Sequence, residues 1–245
     1  MTEKRNKPVK KDINGILLLD KPTGIGSNKI LQQVKHLFQA KKAGFVGTLD
    51  PLATGMLPVC FGRFTKLSDV LLAKDKCYRA TIKLGVQTAS ADSEGEIIAE
   101  QEVPKFDRQT AEKVYATFLG EIQQIPPMFS ALKHQGQPLY KLARAGKTIK
   151  REPRVVTIYR IELLRAGAHE LEVEVVCSKG TYIRVLAEDI AKKLGTLGHI
   201  IALRRTYCAG FSEQDLVSVD EVIAAVAAGE ADRLLIQMTN PSHRL

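Results

Sequence analysis

Tryptophan is absent from this chain of 245 residues, and cysteine occurs only at Cys60, Cys77, Cys177 and Cys208. No two of these form a C-x-x-C pair and no histidine stands at metal-ligand spacing from them, so the pattern predicts free buried thiols and no metal. Long apolar runs are also lacking. The longest, Ile16 to Leu19 and Val222 to Ala228, fall far short of the ~20 residues that cross a bilayer, so no membrane association is expected. The first eleven residues carry five basic groups. The apolar run behind them is too short for a signal-peptide core and has no small-residue cleavage pattern, so residues 1–11 are expected to form a flexible basic tail on a cytoplasmic protein. Gly24-x-Gly26 completes neither phosphate-loop pattern, which argues against a nucleotide-binding enzyme and leaves these glycines serving a tight turn. No internal repeat is visible.

What is present describes a globular chain whose basic charge favours a polyanionic partner, although many basic proteins bind no nucleic acid. Hydrophobic residues make up 44% of the sequence, enough for a sizeable core, and the formal charge is +9. Asn14 to Asp20 reads as a buried strand, followed by a Lys-Pro turn and a helix capped by Ser27 with Ile30, Leu31, Val34, Leu37 and Phe38 on one face. The Gly- and Pro-rich stretch between Gly44 and Gly62 reads as a loop leading into the short apolar run Val59 to Phe61. Strands are predicted over Tyr78 to Leu84, Glu96 to Ala99, Val155 to Leu164 and Glu170 to Cys177; the last alternates Leu171, Val173 and Val175 with three glutamates. Helices are predicted after Asp107, after Ser178-Lys179-Gly180, and after Ser218 with its capping-box partner Glu221. The final dozen residues carry no clear element. Helix and strand are mixed without regular βαβ repetition.

Between Lys133 and Arg154 the composition changes: seven basic residues accompany one acid around Gly136, Pro138, Gly146 and Pro153. This predicts an exposed, mobile cationic insertion. Lys133, Lys141, Arg144, Lys147, Lys150, Arg151 and Arg154 supply charge, and Tyr140 among them adds a ring on which bases can stack.

Asp50 before Pro51 is by itself an ordinary turn residue. Its neighbours change that reading. Gly47-Thr48-Leu49-Asp50-Pro51-Leu52-Ala53-Thr54-Gly55 resembles the catalytic-loop motif of the TruB family of tRNA pseudouridine synthases. Four further segments resemble that family in the same order. They are Asn14-Gly15-Ile16 with Leu19-Asp20-Lys21-Pro22, Lys76-Cys77-Tyr78-Arg79, Ser178-Lys179-Gly180-Thr181-Tyr182-Ile183-Arg184, and Leu203-Arg204-Arg205. Gln124-Ile125-Pro126 through Ser130-Ala131-Leu132-Lys133 resembles the family's RNA-gripping insertion, about residues 123–153. The likeness runs from about residue 12 to about residue 220.

The resemblance implies an α+β pseudouridine-synthase fold with a largely antiparallel mixed central sheet, flanking helices and the basic insertion. It implies conversion of uridine 55 in the T loop of transfer RNA to pseudouridine, by a monomer that needs neither cofactor nor protein partner. It assigns the essential carboxylate to Asp50, an active-site ring and hydroxyl to Tyr78, and a guanidinium partnering the carboxylate to Arg184. Lys21 shapes the floor of the site, Leu203 forms an apolar wall beneath the base, and Tyr182 and Asp92 contact the substrate. The family generally has histidine where Phe45 stands here and a further aspartate where Ala89 stands. Phe45 can stack in the space an extruded base leaves but cannot titrate. Family members commonly continue into a small PUA domain, for which the residues after about 220 are too few. A different class of function, a tRNA-binding or tRNA-folding chaperone of the same fold without turnover, shares all these features except a requirement for Asp50.

Overall fold

The computed structural model describes residues 10–237 and divides them into two compact units. One takes the chain as far as Ala73 and again from Cys208; the other is Lys74–Tyr207.

The first unit grows from β1 (Gly15–Lys21), whose burial is nearly continuous because both of its faces are covered. It pairs antiparallel along its whole length with β3 (Thr54–Phe61), and β2 (Ala43–Phe45) pairs with the far end of β3. Helix α1 (Ser27–Leu37) buries Ile30, Leu31 and Val34, and α2 (Ser68–Ala73) buries Leu71. Ile16, Leu18, Val46, Met56, Cys60, Phe64, Leu71, Cys208 and Phe211 pack together as the core. Strand β3 corrects the expectation of a loop up to Val59. Pro58 removes one ladder donor, yet its carbonyl accepts from Val46 N–H at 2.9 Å, and full burial of the strand outweighs the loss.

In the second unit the sheet order is β12 (Gly198–Cys208, its last residue in the first unit), β4 (Lys76–Leu84), β11 (Glu170–Cys177), β10 (Arg154–Ala166) and β7 (Gly120–Gln124). The pairings β4–β11, β11–β10 and β10–β7 are antiparallel. The predicted alternation in β11 holds: Leu171, Val173 and Val175 are buried while the glutamates are half-exposed. Two short hairpins stand apart, β5 (Val86–Thr88) with β6 (Ile97–Glu100) and β8 (Lys133–His134) with β9 (Gln137–Pro138). Helix α3 (Arg108–Ala116) begins at Asp107, whose carboxylate accepts from Thr110 N–H at 2.8 Å as the sequence predicts. The basic stretch is not featureless: α4 (Leu139–Arg144) seats Leu139 and Leu142 in the unit. Helix α5 (Ile183–Lys193) buries Ile183, Leu186, Ala187 and Ile190. It approaches the start of β12 so closely that a Cβ at Gly198 would lie 2.6 Å from that of Ala191.

The chain returns to the first unit through β13 (Phe211–Ser212) and α6 (Val219–Ala227), which carries the complete Ser218–Glu221 capping box. Ile236 then exchanges two backbone hydrogen bonds with Ile16; residues 238–245 of the final dozen lie outside the described residues. Lys11, assigned above to the flexible tail, bridges Ala40 and is held by Gln39 and Lys41; residues 1–9 of that tail lie outside the described residues. All four cysteines are free and buried, and burial lifts the thiols of Cys60 to about 11 and Cys177 to about 12. No helix among the described residues is long and apolar enough to cross a membrane.

Candidate functional site

The loop that bears Asp50 is fastened to the turn after β1. Lys21, fully buried, donates from Nζ to the carbonyls of Pro22 (2.8 Å), Ile25 (2.7 Å) and Pro51 (3.3 Å). A buried ammonium is costly unless its protons are satisfied, and three carbonyls satisfy them here. Gly24 N–H donates to Pro51 O at 2.8 Å, Thr23 Oγ1 to Leu52 O at 3.1 Å, and Ala53 N–H to the carbonyl of Asp50 at 3.1 Å. Lys21 therefore ties the turn after β1 to the Asp50 loop through backbone carbonyls. Ser27 departs from its expected part: it is the first residue of α1, with Gly26 in the cap position, and its hydroxyl bonds the backbone of Leu49 instead of its own helix. Asp50 itself is half-buried. Phe45, also half-buried, ends β2 opposite Val59.

In the second unit Arg184 lies in the first turn of α5, as predicted, and is 5% exposed. Its Nη1 donates to Ser90 O at 2.8 Å and its Nη2 to Phe129 O at 2.7 Å; Nη1 also stands 3.7 Å from Asp92 Oδ2. The planar fork of a guanidinium reaches these separate acceptors at once. Asp92, equally buried, accepts from Ser90 Oγ and from Glu94 N–H at 3.1 Å, and the neighbouring backbone of Ala91 and Ser93 pairs with Ile200 of β12. Gly95 permits this closure, because a Cβ there would lie 2.3 Å from Ser90 Oγ. Gln124, buried at the end of β7, exchanges two hydrogen bonds with the backbone of Tyr182 at 2.9 and 3.2 Å and so fixes the residue before α5. The bracing part of Gln124 is not legible in the sequence, because its bonds go to backbone 58 residues along the chain, and the part of Ser90 is played by its main-chain carbonyl. Tyr78 is half-buried in β4 opposite Val175, and Leu203 is half-buried in β12 beside buried Arg205.

The basic stretch presents Lys133, Lys141, Arg144, Lys147 and Lys150 to solvent, with Arg144 5.7 Å from the ring centre of Tyr140. Two members differ. Arg151 is half-buried with its Nε lacking a hydrogen-bond partner, and Arg154 is exposed but belongs to β10, paired with Gln124.

Residues 35–183 match the N-terminal domain of the TruB family of pseudouridylate synthases, and residues 184–244 match the C-terminal domain of tRNA pseudouridylate synthase B. The chain belongs to the TruB family. It is 54% identical over 212 residues to tRNA pseudouridine synthase B of Francisella philomiragia, covering 86% of this chain and 70% of that protein. It is 50% identical over 233 residues to the protein of the same name from Neisseria meningitidis serogroup A, covering 94% and 75%. Among solved structures, a Cbf5–Nop10–Gar1 complex contains a chain that is 27% identical with a TM-score of 0.72, over 91% of this chain and 59% of that one. The TruB-family fold expected from the motifs is the fold observed: α+β, with a largely antiparallel sheet and flanking helices.

Proposed function

We propose that this TruB-family enzyme isomerises uridine 55 in the T loop of tRNA to pseudouridine, with Asp50 as its essential carboxylate. The observation that carries the reading is identity of 50–54% to proteins named tRNA pseudouridine synthase B, against 27% to the chain of the Cbf5–Nop10–Gar1 complex. A stand-alone enzyme acting on tRNA is favoured accordingly.

The reaction breaks the N1–C1′ bond, turns the uracil and joins C5 to the same C1′. The proton on C5 is lost and N1 gains one, so no electrons leave and no redox partner is required. An ionised carboxylate begins this by attacking sugar or base, or by stabilising the electron-deficient C1′. By resemblance to the family motifs, Arg184 is the guanidinium that favours the charged carboxylate, Tyr78 offers a ring on which the everted base can stack and a hydroxyl, and Leu203 offers the uracil an apolar side chain. Tyr182 and Asp92 are the further substrate contacts that the resemblance implies. Incubation with an unmodified tRNA transcript, followed by nucleoside analysis, is expected to convert a single uridine per molecule. Tight tRNA binding with no pseudouridine formed would favour the chaperone reading instead.

Eversion costs a few kcal/mol of stacking, and Phe45 compensates by inserting among the loop bases. Phe45→Ala is expected to weaken tRNA binding by about 5- to 30-fold, a stacking contribution of about 1–2 kcal/mol. The single-turnover rate of bound tRNA should fall less; the opposite partition would exclude this role.

The exposed cations from Lys133 to Lys150, with Arg151 and Arg154, grip the T arm through phosphates. Raising salt from 50 to 200 mM is expected to lower affinity at least about 10-fold by counterion release. A titration that hardly moves with salt would contradict it.

A further inference from the structure

We propose that Ser27 is a positioning residue for the Asp50 carboxylate, acting through the peptide that joins Leu49 to Asp50. The inference rests on the reading of Asp50 given above. Ser27 is 2% exposed, and its single hydroxyl works in both directions on one residue: Oγ donates to Leu49 O at 2.8 Å and accepts from Leu49 N–H at 2.8 Å. The Leu49 carbonyl belongs to the same planar unit as the Asp50 nitrogen, so fixing that carbonyl fixes the plane from which the Asp50 side chain departs.

The backbone on the other side of Asp50 is tied independently, with Pro51 O held by Gly24 N–H and Lys21 Nζ and Leu52 O held by Thr23 Oγ1. Residues 21–27 thus brace the aspartate from both directions, and Ser27 supplies the upstream brace. The anchor is itself rigid, because Ser27 opens an eleven-residue helix whose Ile30, Leu31 and Val34 are buried. A hydroxyl recruited as an ordinary helix cap would face its own first turn; this one is spent on a loop 22 residues away. Leu49 is 3% exposed, so water cannot readily replace the lost bonds if the hydroxyl is removed. Freed of the brace, the peptide plane can rock, and a displacement on the order of 1 Å at a reacting group costs up to about 10²-fold in rate.

The test compares Ser27→Ala, Ser27→Thr and Ser27→Cys with wild type by single-turnover pseudouridine formation, tRNA Kd and thermal melting, with Asp50→Ala in the same assay. Ser27→Ala is expected to slow the bound-state step by about 10- to 100-fold with Kd within about 3-fold. Ser27→Thr, which keeps the hydroxyl, should recover most of the rate. Ser27→Cys, which keeps the volume but bonds poorly, should be slow like alanine and serves if the alanine variant does not fold. A Ser27→Ala or Ser27→Cys rate within 2-fold of wild type, in an assay where Asp50→Ala is inactive, would overturn the inference alone. Activity retained by Asp50→Ala would overturn the reading of Asp50 and this inference with it.

Discussion

Replacing Asp50 with alanine or asparagine is expected to slow pseudouridine formation by about 10⁴-fold or more, the scale seen when a single indispensable catalytic side chain is removed. Affinity for tRNA should stay within a few-fold of wild type. The two halves of this expectation have separate physical origins. The chemistry needs a full negative charge beside C1′ or the base, and the asparagine amide has the shape of the carboxylate without its charge or its nucleophilicity. Binding draws on phosphate contacts by a chain with nine more basic than acidic side chains, to which a carboxylate contributes repulsion. The backbone ties to Leu49, Pro51 and Leu52 involve no atom of the Asp50 side chain, so the loop should keep its shape in either variant. Rapid-quench kinetics beside filter binding separates the two quantities.

The second large effect is expected at Arg184, and it combines stability with turnover. Removing the guanidinium leaves Asp92 buried without its 3.7 Å counter-charge and leaves the carbonyls of Ser90 and Phe129 without the donors they now have. Breaking a buried ion pair from one side costs about 3–5 kcal/mol, which corresponds to a fall in Tm on the order of 10 °C. The part that the family motif gives Arg184 predicts slower turnover as well, by about 10²- to 10³-fold. Arg184→Lys should recover little, because an ammonium on a flexible stem cannot reproduce the flat fork that meets Ser90 and Phe129 together. Combining Arg184→Met with Asp92→Asn should destabilise less than the sum of the single changes, because the second substitution removes the charge that the first has stranded. Strict additivity in thermal melts would exclude the pairing as the source of the effect.

Legibility from sequence followed the range of the forces involved. β1, β4, β10 and β11 carry apolar patterning along their own length, and α3 and α6 carry their caps within four residues of their starts. All were readable to within a few residues. Arg184 could be set in the first turn of a helix because a glycine turn and a 3.6-residue period meet there. β3 was obscured by Pro58 and its glycines, since only full burial, a property of the folded unit, offsets their local cost. β12 was obscured by adjacent arginines, one of which, Arg205, is 1% exposed, whereas a sequence reading places such charges in water. α4 was hidden by the charge around it, because two leucines suffice to seat a helix of six residues. The supporting residues of the site were the least visible. Ser27 reads as a cap by every local rule, and its use on Leu49 is decided by a contact that no local rule contains. Gln124 is hidden in the same way, since a polar side chain bonded to backbone 58 residues away has no signature of its own, and the Ser90 carbonyl that receives Arg184 is main chain, which no residue type marks.

The most direct test is to map pseudouridine along an unmodified tRNA after treatment with wild type and with Asp50→Asn in parallel. The account predicts one mark, at the T-loop uridine numbered 55, from wild type and none from the variant. A mark elsewhere, or equal marking by both proteins, would contradict it.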